Sequence, residues 1–425
     1  MTDDILKTAR AAAEEAPPVG DPRYARYTAA LADGLAEAAD RLRAAADADA
    51  AAARERGMPG SQAELLRFPE AETARLTDLA AQIRTMLPEV SRAGEPVPLA
   101  GWGTLRTVPK PLGVVLMVHE ARPWLTFEAA LLPVSVGNAV VVHGGTENRS
   151  ANAVLAEVAE AALRAADLPT GLVTVAEAAD RRLLRALLAR RDAVDAVLPR
   201  ESRALIDYCR NTSTAPVIAS GRGFNHLYVH RTADLVTAAG IALDSKVPNP
   251  VMCNSLQTVL VDRAVAPAFT AALLAAAAHC GPVTLRLDPE LGEIPRTSGD
   301  LRIELLESHD LGREFLNAAF GVLVVDDADA AITHIRTYGS AHTEGVLTED
   351  PTTAEEFTRR VDAATIVVNG SLRLHDGPTL GMGPELTLSS GRMHSRGPVT
   401  IAALLTHSWV VQGTGTTRVV TDSLR

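Results

Sequence analysis

Residues 113–145 read GVVLMVHEARPWLTFEAALLPVSVGNAVVVHGG, and their pattern decides the fold. Two continuous apolar runs, 114-VVLMV and 139-AVVVH, flank the helical pattern LTFEAALLPVSV. A strand that is apolar at every position is covered on both faces, and strand–helix–strand spacing of this length implies a parallel pair with a right-handed crossover. The cycle continues through helix 149-RSANAVLAEVAEAALRAA, strand 172-LVTV, helix 180-DRRLLRALLAR and strand 195-DAVL. A second set follows, with strand 257-QTVLV, an alanine-rich helix, strand 321-GVLVV, helix 328-ADAAITHIRTYG and strand 365-TIVVN. The pattern predicts two α/β lobes, each a parallel sheet covered by helices. Such a scaffold suits a nucleotide, but a fold alone fixes no function.

Outside these lobes the patterns change. Residues 1 to about 90 are rich in Ala, Glu, Arg and Leu with helical periodicity, which predicts two or more long helices. The stretch GTLRTVPKPLGVV alternates polar and apolar residues before the first buried strand. The longest apolar stretch, 264–278, contains Pro267, is too short to cross a bilayer and predicts a buried helix. The N-terminus, MTDDILKTARAAAEEA, lacks the basic flank and apolar core of a secretory signal. With 41 Lys and Arg against 52 Asp and Glu, a net charge of −11, the chain has no basic surface for nucleic acid. These features predict a cytoplasmic protein with neither membrane nor nucleic acid as a partner. Three scattered cysteines, Cys209, Cys253 and Cys280, make neither a disulfide framework nor a metal site.

Only Cys253 sits where chemistry is expected. In 248-PNPVMCNSLQTVLV-261 it lies between the turn signal Asn249-Pro250 and an apolar run, so the side chain is both held and reachable. Cys209 and Cys280 lie in helical, apolar contexts and read as small buried hydrophobes.

The segment 325-VDDADAAITHIRTYGSAHTEGV-346 resembles the signature of the γ-glutamyl phosphate reductases, a branch of the aldehyde dehydrogenase superfamily, and departs from it only at Val346. Further similar segments occur in the same order: 111-PLGVVLMVHEARP, 136-VGNAVVVHGG, 250-PVMCN, 368-VN, 381-GMGPE, 392-RMHSRGP and Trp409. The resemblance spans roughly residues 105 to 410. It implies an aldehyde dehydrogenase-like α/β fold. Residues 1–97 would be N-terminal helices of the cofactor domain, 98–112 the first part of an oligomerisation arm, and 113–245 a Rossmann-like cofactor domain. Residues 246–395 would form the catalytic domain and 396–425 the C-terminal return and rest of the arm.

The resemblance also implies a chemistry. The Cys253 thiolate attacks an acidic acyl phosphate, phosphate leaves, and a reduced nicotinamide delivers hydride to the thioester. Glu120, Arg122, His334, His342, His394 and Arg396 are then candidates for the acidic substrate, because phosphate and carboxylate want Arg and protonated His donors. His143, Gly144, Gly145, Thr146, Pro199 and Arg200 fall on the cofactor path, and Glu314 in 313-REFLN on the position that holds the nicotinamide ribose. The resemblance further implies amino-acid biosynthesis, in particular of proline, with an amino-acid kinase supplying the acyl phosphate. Segments 102-WGTLRTV and 412-QGTGTTRVV are expected to pair across subunits of a homo-oligomer, a dimer or tetramer, because long alternating arms leave unpaired backbone edges.

Four positions depart from the family pattern. Trp124 replaces the asparagine whose amide helps to hold the thioester oxyanion, a loss of roughly 10²- to 10³-fold unless a substitute such as Asn254 serves. In 143-HGGTE the family reads RGGKE, so Thr146 removes a cation expected at the cofactor's ribose phosphate. In 199-PRES it reads PRGG, so Glu201 adds bulk and charge beside a dinucleotide phosphate. In 219-ASGRGFNH a Gly-Gly pair has become Ser220-Gly221. These changes predict weak binding of NADPH or NADH with little preference between them. They also keep a second function open, cofactor-independent acyl transfer through a Cys253 acyl-enzyme.

Overall fold

In the computed structural model, residues 2–100, 102–176, 181–292, 297–415 and 417 are described. The chain divides into two units, residues 1–218 with 400–425 and residues 219–399.

The first unit opens with helices Thr2–Glu15, Pro22–Glu55 and Glu70–Val90. The second begins where Asp21 accepts from the Arg23 amide and Pro22 occupies the first turn, a position that needs no backbone donor. Two outer strands follow, β1 (Val97–Leu99) and β2 (Gly103–Pro111). Then come β3 (Val114–Val118), β4 (Ala139–His143), β5 (Val173–Val175) and β6 (Ala196–Pro199). These four form a parallel sheet in the order β5-β4-β3-β6. Every residue of β3 and β4 is buried, as their unbroken apolar runs predict.

The second unit contains β7 (Asn225–Val229), β8 (Leu256–Asp262), β9 (Val283–Leu287), β10 (Thr297–Ser298), β11 (Leu301–Leu305), β12 (Ala319–Val325), β13 (Thr343–Leu347) and β14 (Thr365–Val368). Their order is β10-β11-β9-β12-β8-β7-β13-β14, and every neighbouring pair is parallel except β10 with β11. Both faces are covered. Leu227, Val229, Val259 and Val261 point into one apolar cluster, while Tyr228 and Leu260 between them point into another. A short pair, β15 (Glu385–Ser389) with β16 (Gly397–Thr400), completes the unit, and the chain returns to the first unit through β17 (Leu405–Gln412).

Two expectations are corrected, and a pairing within the chain is added to a third. The helix within 264–278 runs from Ala266 to Ala277 and buries one face only, through Ala266, Phe269, Thr270, Leu273 and Ala277. The expected boundary near residue 245 moves to 219, because β7 is hydrogen-bonded to β8 and β13 and belongs to their sheet. The alternating arms pair within the chain: β2 lies between β1 and β17, with Leu105 opposite Val411 and Thr107 opposite Trp409. β17 covers one edge of β2 from Thr104 to Pro111, whereas β1 covers the other from Gly103 to Leu105 only. The end of 412-QGTGTTRVV lies outside the described residues. Among the described residues no helix is long and apolar enough to cross a membrane.

Candidate active site

Cys253 occupies a turn three residues before the start of β8. It is partly exposed, and its backbone is fixed from three directions. Within the turn, the Ser255 amide donates to Met252 O and the Ser255 hydroxyl to Asn249 O. From the neighbouring strand, the Asn225 amide donates to both Cys253 O and Ser255 O, each at 2.8 Å, and accepts from Thr343 N–H. Asn225 is fully buried and joins β7, β8 and β13 at the level of the nucleophile. Gly223 closes the third side, since a Cβ there would lie 2.2 Å from Cys253 O. Only glycine permits that approach.

Lys246 ties the same turn to its surroundings. Fully buried, it donates to Pro250 O, to Gln257 Oε1 and to Phe315 O, so one ammonium links the turn before Cys253 to the loop that carries Glu314. Burial pulls its pKa down to about 7, and three oxygen acceptors stabilise the charged form. Glu314 accepts the Gly223 amide at 2.7 Å, so the carboxylate expected at the cofactor's ribose also braces the glycine against Cys253. Neither Asn225 nor Lys246 was among the residues expected at the site. The available signal was a polar residue opening a buried strand, and a lysine preceding a proline turn.

Other expected residues lie differently. Asn254 is buried, donates to His375 O and accepts from Arg373, so its side chain braces the turn, and this speaks against its use as the substitute oxyanion donor. His342 is also buried, pairs through Nδ1 with Thr343 Oγ1 at 2.7 Å and packs on His375, whose Nδ1 meets the same hydroxyl. Burial lowers the His342 pKa to about 3, which corrects its expected role as a protonated substrate ligand. His334 packs edge-on against His226 and beside Tyr338, its pKa likewise pulled down to about 3 by burial. Glu344, fully buried, takes the His226 amide and ring at 2.8 and 3.0 Å. Arg396 pairs through Nη1 with Asp362 at 2.8 Å, while its Nε and Nη2 have no hydrogen-bond partner. His394 is exposed on the preceding loop.

In the first unit the expected residues follow the carboxyl ends of strands. His143 ends β4, Pro199 ends β6, and Thr146 is exposed. Arg200 lies 3.7 Å from Glu128. Gly144 and Gly145 are close-packed: a Cβ on Gly144 would lie 2.3 Å from Asn152 Nδ2, and one on Gly145 would lie 2.1 Å from Glu120 O. Arg122 stacks over Trp124, 5.8 Å from the ring centroid. The loops after β3 and β6 clasp each other. Glu201 Oε2 accepts the Glu120 and Ala121 amides at 2.6 and 2.8 Å, and Glu120 accepts the Ser202 amide at 3.1 Å. Glu120 thus holds a loop, and its expected contact with substrate is not what the geometry favours. The strand order fits a dinucleotide, but the amide pair at its centre is filled by a side-chain carboxylate, so in this conformation those residues do not fit a diphosphate there.

A reachable thiol on a braced turn, in a chain whose other unit is a doubly wound sheet, defines a thiol enzyme on a dehydrogenase-type scaffold. The model of the aldehyde dehydrogenase family matches residues 2–292. The γ-glutamyl phosphate reductase of Glaesserella parasuis is 41% identical over 310 residues, 72% of this chain and 73% of that one. That of Chloroflexus aggregans is 36% identical over 388 residues, 90% of this chain and 91% of its own length. The crystal structure of γ-glutamyl phosphate reductase from Thermotoga maritima superposes with a TM-score of 0.91 at 27% identity, covering 98% of this chain and 99% of that one. An acetylating aldehyde dehydrogenase from Geobacillus thermoglucosidasius, at 19% identity and a TM-score of 0.68, shares the fold over 98% of this chain and 97% of its own. The chain belongs to the aldehyde dehydrogenase family and, within it, to the γ-glutamyl phosphate reductases.

Proposed function

We propose that the chain reduces γ-glutamyl phosphate, or a close acidic analogue, to the semialdehyde through a thioester on Cys253. The observation that carries this reading is the turn of Cys253, whose carbonyl is locked by Asn225 and whose flank is closed by Gly223. A thiol held in this way can attack repeatedly from one direction. Cys253 Sγ, as thiolate, forms a bond to the acyl carbon, the carbon–oxygen bond to phosphate breaks, and phosphate departs with the electron pair. When bound, a reduced nicotinamide dinucleotide, NADPH or NADH, would supply the hydride for the thioester on Cys253. The hemithioacetal so formed on Cys253 would collapse, releasing aldehyde and restoring the thiolate. The Nε and Nη2 of the Arg396 guanidinium, buried without a hydrogen-bond partner, support its assignment to the anionic substrate. With the Asn254 side chain engaged, a backbone amide of the turn is the oxyanion donor this reading requires.

The relatives are named as reductases, which favours hydride transfer over the acyl-transfer alternative. We place the enzyme in the cytoplasm, in amino-acid biosynthesis, with an amino-acid kinase supplying its labile substrate. The outer sheet β1-β2-β17 exposes Val97, Trp409 and Val411, and supports assembly into a dimer or tetramer, to be read by light scattering.

The test is acylation with γ-glutamyl phosphate generated in situ by a kinase, followed by mass spectrometry and NADPH oxidation. Cys253→Ala should abolish both the adduct and turnover. Cys209→Ala should abolish neither, because burial pushes the Cys209 thiol up to about 12. An adduct that survives Cys253→Ala, or is lost in Cys209→Ala, overturns the assignment; an adduct without nucleotide oxidation moves the function to acyl transfer.

A further inference from the structure

Glu201 stands where the strand order of the first unit reverses. From β3 the sheet runs to β4 and β5 on one side and to β6 on the other. In open parallel sheets ligands bind outside the carboxyl ends of the strands at this reversal, where backbone amides meet a dinucleotide's diphosphate. Here the two amides that follow β3, those of Glu120 and Ala121, both donate to one oxygen of Glu201, at 2.6 and 2.8 Å. The Glu201 side chain is only 10% exposed, with Arg122 Nε 3.8 Å from its other oxygen.

Two further features separate this contact from an ordinary loop brace. Glu201 has φ +84°, a left-handed conformation that glycine adopts freely and glutamate does not, so the backbone is held against its preference. Its carboxylate is also buried, and burial pushes its pKa up, so a charge is kept where charge is disfavoured. A neutral side chain would brace the same loops without that penalty. An anion is what two convergent amides and a nearby guanidinium accommodate best.

We propose that the Glu201 carboxylate is a built-in occupant of the dinucleotide's diphosphate position, which the cofactor must displace in order to bind. Glu201 then sets the affinity for both nicotinamide dinucleotides together and leaves the choice between them untouched. The proposal rests on the reductase reading, since it takes a nicotinamide dinucleotide as the ligand.

The experiment is calorimetric titration of the full-length protein and of Glu201→Gly and Glu201→Asn with NADPH, NADH and ADP-ribose. Glycine relieves the φ of this position, and asparagine tolerates it while being neutral and shorter. Both variants should bind all three ligands tighter by about tenfold or more, by a common factor, as expected when a competing charge-assisted contact is removed. Unchanged or weaker binding in both variants, each with a melting transition like the parent's, overturns the proposal. So does tightening confined to NADPH, which would place Glu201 at the ribose phosphate. Failure of the reductase reading shows elsewhere, as no Cys253 adduct and no nucleotide oxidation in the parent. ADP-ribose, which carries no nicotinamide, still reports on the amide pair in that case.

Discussion

The two units present opposite ends of their sheets. In the first, the expected residues follow the carboxyl ends of β3, β4 and β6, as in other open parallel sheets. In the second, Gly223, Cys253, Glu314 and His342 all precede the strands that they serve, at the amino ends of β7, β8, β12 and β13. The linkages differ as well. Around Cys253 a buried amide and a buried ammonium bind backbone oxygens, whereas around Glu201 carboxylates bind backbone amides. A nucleophile that must not move is held by neutral or cationic donors inside a sheet. A site that must admit a ligand is closed by an anion on surface loops, which another anion can replace.

That contrast is broken most directly at Asn225. Asn225→Ala removes the hydrogen bonds to Cys253 O, Ser255 O and the Thr343 amide, of which Ser255 O keeps Gln257 Nε2 as a donor, at about 1 kcal/mol for each bond lost. The expected outcome is a clear drop in the denaturation midpoint together with a fall in the rate of Cys253 acylation. A variant with parent-like stability and acylation would show that the turn holds itself. In the first unit Glu120→Gln, on the clasp, should change the same midpoint by less than about 1 kcal/mol, as removal of an exposed charge does.

The buried imidazoles give a second, smaller effect. His342 and His375 are fully buried, and burial lowers their pKa to about 3 and about 4 from an ordinary 6.5. Both are neutral in the folded chain at pH 7. As pH falls below about 6.5 the unfolded chain takes up protons that the folded chain refuses, so stability is complete above that value and lost progressively towards pH 3–4. At pH 5 the loss is about 2 kcal/mol per imidazole. A urea midpoint that is flat from pH 7 to pH 5 would contradict this, and because burial lowers His119 and His334 in the same way, His342→Gln should flatten the slope by about a quarter.

The smallest effect is expected at Thr146. It is exposed, so Thr146→Lys adds a solvent-screened cation worth a preference of up to about tenfold for NADPH over NADH, with no change in stability. Equal tightening of both nucleotides in calorimetry would mean that the lysine meets the diphosphate and not the ribose phosphate.

How much of this the sequence contained varies with the physics involved. The apolar runs of β3 and β4, the alternation of β2 and the turn before Cys253 are local patterns, and each is found where the pattern puts it. Asn225 and Lys246 were not legible, because whether a polar side chain is buried depends on strands far away in sequence. Lys246 alone meets acceptors as distant as Phe315. The fold-back of Glu201 was illegible for a related reason. Its charge could be read, but its partners, 80 and 81 residues earlier, could not. Likewise, the partner of one edge of β2 is β17, which returns to it from the far end of the chain.

The position of Asn225 also bears on how the chain becomes an enzyme. Its three hydrogen bonds join β7 to the start of β8 and to β13, segments up to 118 residues apart, and such non-local pairings form late in folding. Cys253 therefore acquires its fixed orientation only when the centre of the sheet has closed. In a refolding experiment the rate at which the thiol becomes able to take an acyl group is a clock for that closure, and a newly made chain released before β13 has docked carries its nucleophile unarmed.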